Sequence, residues 1–98
     1  MKDITPTEVQ QRLESGEALH LLDVREVAEV QDGHIPGVLN IPLSLLQFRF
    51  DELEKAKSYI VLCQAGGRSA QATVFLEMQG YDVTNMLGGM GAWRGEVV

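Results

Sequence analysis

The spacing of apolar residues along the chain changes several times, and each change marks an element. Thr5-Pro6-Thr7-Glu8 reads as a helix start, with Thr5 at the N-cap, Pro6 at the first helical position and Glu8 completing a capping box. Ile4 and Val9 are spaced for a hydrophobic staple, Val9 and Leu13 share one face, and Gly16 is placed as a stop. Leu19 to Val24 is mostly apolar and predicts a buried strand. Glu26 to Val30 predicts a short helix, Gly33-His34-Ile35-Pro36-Gly37 a loop, and Val38 to Ile41 a short strand. Ser44 to Leu53 predicts a helix with Leu46, Phe50 and Leu53 on one face. Tyr59 to Cys63 predicts a strand and Ser69 to Gln79 a helix, with apolar positions at Ala72, Phe75 and Met78 and Gly80 as its cap. Val83 to Met86 is a last short strand.

Strands alternating with helices predict an α/β fold, a parallel sheet covered on both faces. Ligands of such sheets bind outside the carboxyl ends of the strands. Asp23 and Cys63 both fall at predicted strand ends, so they can share one rim although far apart in sequence. The length of 98 residues fits one domain, residues 1–98, and no repeat, linker or low-complexity segment interrupts it.

Composition narrows the function classes. The net charge of −6, with the basic residues scattered, argues against nucleic acid, whose phosphates need clustered Lys and Arg. A single cysteine excludes an internal disulfide, a CxxC pair and a cysteine-rich zinc site, and His20 and His34 lack metal-ligand spacing. No apolar run approaches the ~18 residues of a membrane span, and Met1 to Pro6 has no signal-peptide core. The expectation is a cytoplasmic protein with a free thiol, no metal and no membrane contact. A monomer is expected because the sequence shows no exposed apolar stripe.

The segment Cys63-Gln64-Ala65-Gly66-Gly67-Arg68 carries the candidate chemistry. A cysteine at a strand end, followed by a glycine-softened loop and a helix start, places backbone N–H groups and a helix N-terminus beside sulfur. Both favour the thiolate, which is the nucleophile. A free cysteine with a pKa of roughly 8.5 is only about 3% thiolate at neutral pH. A drop of about two units needs ~2.7 kcal/mol, within reach of a few charge-assisted hydrogen bonds. The competing reading is that Cys63, after an apolar run, is a small buried hydrophobe.

Other constellations are weaker. Gly88, Gly89 and Gly91 resemble a dinucleotide loop, but the chain that follows is too short for a βαβ unit, so they are expected to allow close packing near Trp93, itself a core residue. His34 is expected to fix the Gly-Pro loop by hydrogen bonding, with general-acid chemistry as the alternative. Asp23 and Arg25 are candidates for an ion pair near the rim. Arg68 can attract an anionic substrate or anchor the loop to a carboxylate, and the sequence does not separate the two. A cysteine phosphatase needs C-x5-R; here the spacing is C-x4-R, and Leu62 stands where a histidine usually precedes the cysteine. A loop one residue shorter should make a tighter ring of amides, suited to a sulfur atom on the thiol rather than to phosphate.

Together these segments resemble a single-domain rhodanese over nearly the whole chain. Asp23-Val24-Arg25-Glu26 resembles the family's D-V-R-E segment, and Gly33-His34-Ile35-Pro36-Gly37 with Asn40-Ile41-Pro42 resembles G-H-I-P-G…N-I-P. Cys63 to Ser69 resembles the active loop C-x-x-G-x-R-S, and Leu87-Gly88-Gly89 with Trp93 resembles the closing L-x-G-G…W, less one spacer. The chain departs from the family at Val30, commonly aromatic, at Val38, usually small, and in a short tail after Trp93. The resemblance implies a five-stranded parallel sheet flanked by helices on both faces, and sulfurtransferase activity without metal or organic cofactor. It implies that Cys63 takes the sulfane sulfur of a donor such as thiosulfate, or of a persulfide, and passes it from a Cys63 persulfide to cyanide, a thiol or a protein acceptor. Gln64, Ala65, Gly66, Gly67, Arg68 and Ser69 would bind the substrate sulfur, with Asp23, Arg25 and His34 in support. The alternative is a sulfur-relay or binding module, fed by a partner protein and without turnover on small donors.

Overall fold

The computed structural model describes residues 1–98. Its elements, in chain order, are β1 (Lys2–Ile4), α1 (Pro6–Glu14), β2 (His20–Asp23), α2 (Val27–Gln31), β3 (Leu39–Asn40), α3 (Leu43–Arg49), β4 (Ser58–Leu62), α4 (Gly67–Met78) and β5 (Asp82–Met86), with 3₁₀ turns at Phe50–Glu52 and Gly89–Ala92. The five strands form one sheet in the order β1-β5-β4-β2-β3, and all four neighbouring pairs are parallel. This is the expected α/β architecture.

Alternation along the central strands builds two cores. Leu22 and Val24 of the β2 segment, with Tyr59 and Val61 of β4, pack with Leu46, Ala72 and Leu76 on the α3 and α4 face. Leu21, Ile60 and Leu62 point the other way and pack with Val9, Ile35, Met86 and Trp93. Strands buried on both faces read as continuous apolar runs, which is why β2 and β4 were legible. Thr5 caps α1 by accepting from the Glu8 amide at 3.2 Å. Ile4 and Val9 meet in the second core as a staple requires.

The structure corrects several boundaries. β1 is not apparent in the hydrophobic pattern, because only Ile4 of its three residues is buried. It exists by pairing with β5 and by a Lys2–Asp82 ion pair across that edge. The helix expected over Ser44 to Leu53 ends at Arg49 and tightens into the 3₁₀ turn, yet Leu46, Phe50 and Leu53 still reach one core. Helix α4 begins at Gly67, two residues before Ser69, and its buried stripe is Ser69, Ala72, Thr73 and Leu76. Met78 is 79% exposed, and Val74, Leu45 and Phe48 are exposed with it. The absence of an exposed apolar stripe, the ground for expecting a monomer, therefore does not hold. No helix is long and apolar enough to cross a membrane.

Candidate active site

The sheet order places a topological switch point at β4. From β2 the chain runs to the edge strand β3, whereas from β4 it runs the other way to β5. The crevice at the carboxyl ends of β2 and β4 is where such sheets bind ligands. Asp23 ends β2 opposite Leu62, the last residue of β4, so the two rim segments of the crevice begin side by side.

Strand alternation directs Cys63 to the face of Tyr59 and Val61, beneath the first turn of α4. The turn from Cys63 to Gly66 is short because α4 starts at once. Gly66 is the N-cap, with φ 107°, a left-handed conformation that disfavours side chains. The first-turn amides of α4 lack helical partners, and sulfur takes their place. The Gly66 N–H donates to Cys63 Sγ at 3.0 Å and the Ser69 N–H at 3.3 Å. Cys63 Sγ and Ser69 Oγ lie 3.4 Å apart, and Ser69 Oγ also donates to the Gly66 carbonyl at 3.1 Å. The thiol can donate to this hydroxyl, and a thiolate can accept from it after one rotation of the O–H.

Burial pushes the Cys63 pKa up, and hydrogen bonds from the Ser69 hydroxyl and the amides of Ser69, Gly66 and Ala65 pull it down; the outcome is below the ordinary cysteine value. Removing the Ser69 hydroxyl should therefore raise it. In Ser69→Ala the pH midpoint of iodoacetamide alkylation is expected to rise, because the thiolate loses one hydrogen bond. The rate at neutral pH falls accordingly. An unchanged midpoint would show that the hydroxyl does not stabilise the thiolate.

The outward side of the loop is braced by the Gly89–Ala92 turn. The Met90 N–H donates to the Cys63 carbonyl at 2.8 Å and the Gly91 N–H to the Gln64 carbonyl at 2.9 Å. With the Gln64 carbonyl turned out, the Ala65 amide that follows it turns in toward sulfur. Gly89 has φ 55°, and a Cβ there would stand 2.2 Å from the Cys63 carbonyl oxygen. Gly89 and Gly91 thus serve the cysteine loop, whereas a Cβ at Gly88 would meet Ala92, next to Trp93, as the expectation of close packing there requires. Trp93 lies in the second core, 9% exposed, as expected.

Asp23 and Arg25 form a buried ion pair at 2.8 Å, with side-chain exposures of 0% and 4%. The Arg25 guanidinium also donates to the Gly33 carbonyl at 2.9 Å and approaches Gln64 Oε1 at 3.5 Å. It therefore ties the end of β2 to the Gly33–Gly37 loop and to the cysteine loop. Asn40 donates to the carbonyls of Asp23 and Arg25 at 2.9 and 3.0 Å, which holds this turn from β3. His34 donates from Nδ1 to the Val30 carbonyl at 2.9 Å, a loop-fixing contact.

Arg68 does not point freely toward the sulfur. Its guanidinium grips Glu29 of α2 through two bonds of 2.6 and 2.9 Å, so its observed contact is the anchoring one. The bonds from Arg68, then the Glu26 amide, hold the Glu29 carboxyl at about 2. Glu29 was missed in the sequence. It is 39 positions from Arg68, and no local period signals the pair.

Arg25, Glu29, Asp32, Gly33, Gln64 and Met90 line a cavity of about 360 Å³ beside the loop. A larger cleft of about 790 Å³, lined by residues such as Lys2, His20, Ser58 and Asp82, opens at the opposite, amino ends of the strands, away from this chemistry. Cys63 itself is 1% exposed, whereas Gln64, Ala65 and Gly67 of its loop are exposed.

Comparison with known proteins agrees with this arrangement. Residues 5–96 match the model of the rhodanese-like domain. The Bacillus subtilis protein YtwF, named as a candidate sulfurtransferase, is 36% identical over 96 residues, covering 98% of this chain and 93% of its own. A sulfurtransferase of Allochromatium vinosum is 37% identical, covering 95% of this chain and 88% of its own. The crystal structure of a rhodanese-related protein from Thermoplasma volcanium superposes with a TM-score of 0.93 at 34% identity, over 100% of this chain and 98% of its own.

Proposed function

Because the chain belongs to the rhodanese-like domain family, we propose that it is a sulfurtransferase working through a persulfide on Cys63. The observation that carries this reading is the set of polar groups converging on Cys63 Sγ: the Gly66 and Ser69 amides, which donate to it, and the Ser69 hydroxyl beside it. They stabilise a sulfur anion at a strand end beside the switch-point crevice. The Cys63 thiolate attacks the outer sulfur of a donor such as thiosulfate. The new Sγ–S bond forms as the donor S–S bond breaks, and sulfite leaves with its electron pair. Cyanide or a thiolate then attacks the outer sulfur and returns Cys63 as thiolate. Exchange of this kind depends on thiolate fraction and on access.

Three loop features suit the persulfide. The turn is one residue shorter than a C-x5-R phosphate loop, so its ring of amides is tighter and suits a sulfur atom on the thiol better than a phosphate. Its amides are held inward by the outer brace. Its outer side at Gln64, Ala65 and Gly67 is open to solvent. Asp23 and Arg25 support the loop rather than touch the sulfur, and His34 fixes the neighbouring Gly33–Gly37 segment. The unpaired cysteine fits a reducing compartment such as the cytoplasm. The test is thiocyanate formation from thiosulfate and cyanide. Wild type is expected to turn over and Cys63→Ser to fall to background, while turnover in Cys63→Ser would reject the cysteine mechanism.

The near-complete burial of Cys63 favours a second reading, a relay fed by a protein persulfide that presses its sulfur into the loop. A relay would turn over poorly with thiosulfate and load rapidly from a persulfidated protein thiol.

A further inference from the structure

We propose that Glu29 sets the charge preference for the sulfur donor: by occupying the Arg68 guanidinium it biases the site against dianions such as thiosulfate and toward sulfane donors carrying one negative charge or none. The proposal rests on the sulfur-transfer reading above and adds the donor class.

Arg68 is the loop's own cation, one residue before Ser69, and an unpaired guanidinium there would draw anions to the thiolate. Instead both of its terminal nitrogens are taken by the two oxygens of Glu29. Arg25, the neighbouring cation, is likewise taken by Asp23. Glu26 also acts electrostatically on Arg68, and Asp32 lines the adjoining cavity. Two guanidiniums therefore meet four carboxylates at this rim, and no positive charge remains in excess. The Glu29–Arg68 pair is about one-third exposed, 36% for each side chain, so its field is felt from the solvent side where a donor arrives.

A unit charge roughly 8 Å away changes the attraction of a monoanion about twofold in a water-like dielectric and more in the lower dielectric near a protein surface. A dianion feels the effect twice over in free energy. Glu29 acts here as a positioning and specificity residue that never touches the reacting sulfur.

The test compares reagents differing by one charge. Methanethiosulfonate, a monoanion, delivers sulfur by the same displacement as thiosulfate: the Sγ–S bond forms, the donor S–S bond breaks, and methanesulfinate leaves in place of sulfite. Iodoacetate and iodoacetamide give a second pair that needs no sulfur transfer. In Glu29→Gln, the thiosulfate-to-methanethiosulfonate ratio of loading rates and the iodoacetate-to-iodoacetamide ratio of alkylation rates should both rise, roughly two- to tenfold. Both rises should shrink toward unity in high salt. Glu29→Asp, which keeps the charge, should leave both ratios near wild type. Unchanged ratios in Glu29→Gln, or equal shifts in Glu29→Asp, would overturn the proposal. If neither donor loads sulfur while the alkylation ratio still rises, the electrostatic role of Glu29 stands and the sulfur-transfer reading falls.

Discussion

Gly89→Ala is expected to cost at least tenfold in Cys63 reactivity even where the protein still folds. The added methyl would meet the Cys63 carbonyl oxygen at 2.2 Å and the Gln64 carbonyl carbon at 2.8 Å, and both are backbone atoms with no rotamer to escape through. Relief requires the Gly89–Ala92 turn to withdraw, which breaks the Met90 and Gly91 bonds to the Cys63 and Gln64 carbonyls. Freed carbonyls let the loop peptides rotate, and the amides facing sulfur lose their aim. Overpacking of this kind typically costs about 1–3 kcal/mol, and the positive φ adds roughly 1 kcal/mol more. The pH profile of alkylation is the diagnostic: the Cys63 midpoint should rise in Gly89→Ala. A destabilised protein with an unmoved midpoint would show that the brace does not shape the sulfur site.

The second large effect is on stability. Arg25→Met leaves the Asp23 carboxylate, 0% exposed, without its counter-charge. Breaking a buried pair from one side costs about 3–5 kcal/mol, a large share of the ~5–15 kcal/mol that holds a domain together. For a domain of this size the melting temperature should drop by more than about 12 °C. The Gly33 carbonyl and Gln64 also lose a donor, so the rim loosens as well. Replacing Asp23 by leucine in the same protein should restore part of the loss, because an apolar pair removes the stranded charge. A loss under 1 kcal/mol in Arg25→Met would mean that Asp23 finds water or another partner and that the pair is not the rim's anchor.

What was legible in the sequence divides along physical lines. Elements defined by local chemistry were readable: the Thr5 cap, the apolar runs of β2 and β4, and the glycine-softened turn after Cys63. The family motifs added the fifth strand by resemblance, since β1 is a three-residue edge strand with one buried side chain and no pattern of its own. The helix beginning at Gly67 instead of Ser69 matters chemically, because it turns part of the expected loop into a helical first turn whose amides seek an outside acceptor. Contacts across long sequence separations were not readable. Glu29 looks like one more solvated acid in a short helix until α2 lies beside the start of α4. Likewise, the glycines near the chain's end show no connection to Cys63 until the 3₁₀ turn folds over the loop carbonyls. Arg68 has two open roles in the sequence for the same reason: attraction and anchoring differ only in where a partner carboxylate sits.

The Cys63 persulfide is tested most simply by intact mass after incubation with thiosulfate and removal of the excess, recorded beside Cys63→Ala. A persulfide cycle on Cys63 predicts a gain of one sulfur atom in the wild-type protein, no gain in the variant, and loss of that sulfur as thiocyanate when cyanide is added. Sulfur retained by Cys63→Ala, or a cyanide-resistant adduct on the wild type, would contradict a persulfide cycle on Cys63.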